Sequence, residues 1–223
     1  PYLFCCSSGQ PAWPMNVDLV RDARNRGGMV FFAHPLTVPR SQMDVVDNGW
    51  PSVGHGRELP IDIALGCVDA LDVYSYSNLN RIEFQLWYDL LNHGFRVPAN
   101  AGTDASVNRF TDPPMGGYRT YAQVGTGPFT HAQWLQAVRQ GNSFVTNGPL
   151  IRTFAVGAAT PGAVLDKASA DAYVLPVTYD VVCQWPIRYA ALVVNGSYQH
   201  TFYPTGDGRT PSGTSTANFG GSS

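Results

Sequence analysis

Two apolar segments of this chain each run directly into a side chain that can bind metal, and this constrains the fold more than any other feature. Met29-Val-Phe-Phe-Ala-His34-Pro35 reads as a buried strand that ends in a histidine, with Pro35 stopping it. Phe95-Arg-Val-Pro-Ala-Asn-Ala-Gly-Thr-Asp104-Ala ends in small residues and then presents one carboxylate. Small residues at a strand end let a ligand approach the backbone. Taken alone, Ala-His-Pro is most simply a strand-to-turn junction with a satisfied histidine. Gly-Thr-Asp alone is most simply a turn or a helix cap. Together, one or two β-α units apart, they point to a barrel-like α/β architecture with a site at the carboxyl ends of the strands.

The chain has 223 residues, enough for one full domain and part of a second. A net charge of −2 offers no footprint for nucleic acid or for an acidic membrane surface. No apolar stretch is long enough to span a bilayer. Cys5 and Cys6 are adjacent, Cys67 and Cys183 are isolated, and no zinc-ribbon spacing occurs. Cys67 lies in an apolar run and reads as a small core residue. Pro1 at the start and the Ser/Gly/Thr-rich end make the chain read as a fragment truncated at both ends, which leaves its compartment open.

Periodicity predicts a helix over 16–26, a strand over 30–33, a short helix over 58–66 and a strand over 68–74. A long loop from Thr37 to Arg57 has the length of a functional connection. The clearest helix covers 79–93, with Ile82, Leu86 and Leu90 in one line. A strand over 95–99 leads to Asp104. A strand over 119–124 follows, then a helix opened by the capping box Thr130-His-Ala-Gln133, then a strand over 143–146. The order α-β-α-β-α-β-β-α-β favours a mostly parallel sheet or barrel. From Leu150 strands over 151–156, 172–179 and 189–194 follow without helices. Asn195-Gly196 is a strong hairpin signal. This predicts two units, 1–149 and 150–223, the second a β-rich appendage whose tail from about Thr205 is poorly ordered.

Several longer runs carry a resemblance. They are Glu58-Leu-Pro-Ile-Asp-Ile-Ala-Leu-Gly66 followed by Val68-Asp-Ala-Leu-Asp-Val, and Trp87-Tyr-Asp-Leu-Leu-Asn-His-Gly-Phe-Arg-Val-Pro98. Ala101-Gly-Thr-Asp-Ala105, Tyr118-Arg-Thr-Tyr121 and Ser143-Phe-Val-Thr-Asn-Gly-Pro149 add to them. Over about residues 15 to 200 the chain resembles the CehA/McbA (carbaryl hydrolase-like) branch of the PHP superfamily. The resemblance implies the C-terminal part of a distorted (β/α)7 barrel followed by the start of an all-β, sandwich-like appendage. It implies a hydrolase of ester, carbamate or phosphoester bonds that uses divalent Zn, Mn or Fe, with small-molecule or phosphoester substrates. Carried over by position, His34 and Asp104 match metal ligands of the family, and Asp104 could also accept the proton of the attacking water. The family's His-x-His motif, and the glutamate and histidine expected before His34, are absent here. Position 106 is Ser106 where the superfamily often has histidine, which makes one or two metals a better expectation than three.

Other candidates have simpler explanations. Arg119 either clamps an anionic oxygen or pairs with a carboxylate. Asp72 either points into the barrel mouth or caps the strand end. His55 lies in a Gly-rich loop, His93 complements a helix dipole, and His131 and His200 read as solvated. Asn147 reads as a turn residue. Two functions stay open: a metal-dependent hydrolase that activates water, and a non-catalytic scaffold whose β unit binds a polymer or partner. If the metal reading holds, His34 and Asp104 lie on one rim within ~10 Å, given ~2 Å ligand bonds.

Overall fold

A computed structural model describes residues 15–35, 58–75, 82–105, 108, 114–165 and 174–219. The long loop over 37–57, with His55, and Ser106 lie outside the described residues. The first unit runs α1 (Asn16–Asn25), β1 (Phe31–Phe32), α2 (Leu59–Ala64), β2 (Ala70–Ser75), α3 (Ile82–Asn92), β3 (Ala99–Gly102), β4 (Arg119–Ala122), α4 (His131–Arg139) and β5 (Ser143–Thr146). This is the element order read from periodicity. The strand expected over 95–99 begins only at Ala99.

Strands β1, β2 and β3 form one parallel sheet in that order. One face packs on Leu59 and Ile63 of α2 and Leu86 of α3, closed by Leu71 and Val97. The Trp87 indole N–H donates to the Val97 carbonyl at 2.8 Å and ties α3 to the segment leading into β3. Cys67 is buried, as its apolar setting predicts. α1 has no side-chain cap of its own. Instead the Asn16 backbone N–H donates to Glu58, and the Asn16 side chain donates to buried Asp62 at 2.9 Å. At the amino end of β2, Asp69 is 7% exposed and gathers three elements. Its Oδ1 accepts from Arg24 of α1 and from Arg139 of α4, each at 3.1 Å, and its Oδ2 accepts from the Val30 N–H at 2.9 Å.

The expected (β/α)7 barrel is not what the described residues form. The parallel set stops at β3. Although α4 lies between them, β4 and β5 pair antiparallel, with Arg119 opposite Thr146 and Ala122 opposite Ser143. A barrel needs each strand laddered to a neighbour on both sides. Among the described residues β3 has a backbone partner on one side only, and the β4–β5 pair is a separate sheet. The sequence pattern identified the strands, but alternation of strand and helix does not by itself fix strand direction. The connection over 123–130 leaves the chain room to reverse before Thr130 caps α4 through the expected box with Gln133.

The second unit is all β. β6 (Leu150–Val156), β7 (Val174–Val182) and β10 (Ser212–Asn218) form an antiparallel sheet with β7 central. β8 (Ala190–Val194) and β9 (Ser197–Phe202) form a hairpin. Asn195 and Gly196 both have positive φ, as a type I′ turn requires. Val177, Leu192 and Ala217 join the sheet and the hairpin in one core, with Phe154 and Phe202 packed against it. The tail expected to be poorly ordered instead supplies β10. Its small residues allow this: Gly213 lies beneath Tyr179, whose Oη would stand 3.0 Å from an added Cβ, and Ala217 is buried.

Glu83 in the first turn of α3 is 1% exposed, on the stripe it shares with Leu86, Trp87 and Leu90. Neither carboxyl oxygen has a hydrogen-bond partner among other described residues. Burial pushes its pKa up to about 7, opposed only by its own backbone N–H. The folded carboxyl therefore holds its proton at pH values where the unfolded one has lost it. Stability falls as pH rises through that interval. Glu83→Gln is expected to raise the thermal midpoint at about pH 8 and to change it little at about pH 5. Equal shifts at both pH values, in thermal melts followed by circular dichroism, would contradict this.

Candidate functional site

Because β1, β2 and β3 are parallel, their carboxyl ends lie along one edge of the sheet. His34 leaves this edge beyond β1 and Asp104 beyond β3. Their side chains meet: His34 Nε2 stands 3.9 Å from Asp104 Oδ2, well inside the expected span. His34 has φ 32° and Asp104 has φ 54°, so both lie in the left-handed region that side-chain-bearing residues seldom adopt. Such conformations cost of order 1–3 kcal/mol and gather at functional sites. Asp104 is about half exposed and His34 about a quarter exposed, so the pair is open to solvent on one side.

Asp72 lies within electrostatic reach of both His34 and Asp104. It interrupts a strand whose neighbours Leu71 and Val73 are fully buried, and it is itself 7% exposed. Burial raises its pKa. The hydrogen bond from Asn100 and the nearby His34 oppose the rise, and the Asp104 carboxylate adds to it.

Around these groups stand side chains that the sequence did not single out. Asn100, opposite Asp72 in the β2–β3 register, donates its side-chain N–H to the Asp72 carboxylate. Tyr74, two residues beyond Asp72, packs edge-on against Tyr118 with ring centroids 4.7 Å apart. Its pKa is raised first by burial and then by Tyr118, against a hydrogen bond with the Asn147 side chain. Asn147, read as a turn residue, thus reaches the same edge.

Arg119 is not brought to this pair. It alternates along β4 with Thr120, whose hydroxyl faces Asn100, so the two side chains leave the strand on opposite faces. The Arg119 guanidinium lies 5.9 Å from the Tyr121 ring centroid, and its Nε is buried without a hydrogen-bond partner among the described residues. His93 bonds the Asp89 carbonyl at the end of α3, and His131 and His200 are exposed on other elements.

Among the described residues no group of three or more His, Cys, Asp or Glu side chains is gathered closely enough to hold a metal ion. The His34–Asp104 pair offers two donors of types that suit Zn, Mn or Fe. Two ligands at ~2.1 Å from one tetrahedral ion lie about 3.4 Å apart, so the observed spacing fits after a small closure. No helix among the described residues is long and apolar enough to cross a membrane. No protein-family model matches this chain, and neither a curated protein nor a solved structure does.

Proposed function

We propose that this protein is a metal-dependent hydrolase of ester, carbamate or phosphoester bonds, in line with its resemblance to the CehA/McbA branch of the PHP superfamily. The observation that carries the reading is the meeting of His34 and Asp104 at 3.9 Å, at the ends of parallel strands, in backbone conformations rare for such residues. His34 as neutral imidazole and Asp104 as carboxylate would hold the ion. A divalent ion there would polarise the scissile carbonyl or phosphoryl oxygen and acidify a water toward neutrality. Asp72, 7% exposed and within electrostatic reach of both, would be the carboxylate to accept a proton from that water.

The test is a panel of aryl ester, carbamate and phosphoester substrates offered to the full-length protein before and after chelation and after return of Zn, Mn or Fe. The expected result is hydrolysis of one class that is lost on chelation and restored by metal. A second reading, a scaffold that binds a polymer or partner, is favoured by the exposed rings of Trp185, Tyr198 and Tyr203 in the β unit. It predicts no hydrolysis of any class under these conditions.

A further inference from the structure

β3 ends the parallel sheet, and no backbone ladder joins it to β4. Two threonine hydroxyls span the gap instead. Thr120 Oγ1 accepts the Ala101 backbone N–H at 2.9 Å and donates to Asn100 Oδ1 at 2.8 Å. Asn100 in turn donates to Asp72. Thr103 Oγ1 accepts the Tyr118 N–H at 3.1 Å and donates to the Tyr118 carbonyl at 3.2 Å. Each hydroxyl therefore both donates and accepts. Thr103 is 9% exposed and immediately precedes Asp104. Its two bonds fix the backbone from which the strained Asp104 departs.

We propose that Thr103 and Thr120 are positioning residues that make β4 a brace for the two carboxylates, Thr103 setting Asp104 and Thr120 setting Asp72 through Asn100. The inference rests on the metal-dependent reading above. It assigns a purpose to the side-chain stitching: a backbone ladder would hold the strands together, whereas hydroxyl ties also orient the groups beside them. Partners that orient metal ligands are typically worth 10–100-fold in metal affinity or activity.

The test compares Thr103→Val, which keeps the shape and removes the hydroxyl, with Thr103→Ser, which keeps the hydroxyl. Zn²⁺ affinity by calorimetric titration, kcat and KM are measured for the full-length protein, each alone and in an Asp104→Asn background. The expected result is a loss of roughly 10–100-fold in Zn²⁺ affinity and kcat for Thr103→Val, with KM little changed and Thr103→Ser near wild type. In the Asp104→Asn background Thr103→Val is expected to add little, because the group it positions is already lost. Should Thr103→Val not fold, Thr120→Val carries the test through Asp72, read as a loss in kcat that an Asp72→Asn background abolishes. Unchanged Zn²⁺ affinity and kcat in both valine variants would overturn the inference while leaving the hydrolase reading intact. An equal loss with and without the Asp104 carboxylate would also overturn it, since that marks a purely structural role. A wild-type protein that neither binds Zn²⁺ nor hydrolyses any substrate would overturn both.

Discussion

Asp104→Asn in the full-length protein is expected to lower turnover by roughly 10²-fold or more, because the carboxylate that would hold the ion, and with it the several kcal/mol of charge stabilisation an ion supplies, is lost. The substitution keeps the size of the side chain and its capacity for a left-handed backbone, so the strain at φ 54° is conserved. What changes is the charge 3.9 Å from His34. His93→Gln serves as the control. His93 bonds the Asp89 carbonyl at 2.7 Å on the last turn of α3, away from the site edge. Its replacement is expected to leave turnover nearly unchanged and to cost at most ~1 kcal/mol of stability. Steady-state turnover and metal content of the two variants check the prediction. Wild-type turnover in Asp104→Asn would make Asp104 a turn residue.

Asp69→Ala is expected to destabilise the fold by about 3 kcal/mol, read by urea unfolding at neutral pH. Asp69 is 7% exposed and its carboxylate satisfies Arg24, Arg139 and the Val30 N–H, so one deletion releases α1, α4 and the entry to β1 together. The two arginine side chains are 39% and 41% exposed and regain water, which keeps the cost from rising further. A shift below ~0.5 kcal/mol would show that the three elements are held by the apolar core alone.

Much of the local structure was legible because it is written in short-range patterns. The Thr130–Gln133 box, the Asn195-Gly196 turn and the Leu86/Leu90 stripe each specify an element within a few residues. Strand direction is not written that way. It depends on how far the chain can turn between Ala122 and Ser143 and on which edge of β3 is left to be covered. The tail was misjudged for a related reason. Ser, Gly and Thr resemble a linker in composition, yet they are what fits beneath Tyr179 and beside Val177. At the site, His34 and Asp104 were visible because each ends an apolar run. Asp72 could be read from the sequence either way, toward the strand ends or as a cap. Thr103, Thr120 and Asn100 carry no such signal, since their role lies in contacts between strands distant in sequence.

The most direct test of the central claim is equilibrium dialysis of the full-length protein against Zn²⁺, followed by elemental analysis, with the His34→Ala/Asp104→Asn double variant measured beside it. At least one ion per wild-type chain is expected, with a clear loss of bound ion in the double variant. Zn²⁺ retained equally by both proteins, or by neither, would contradict it.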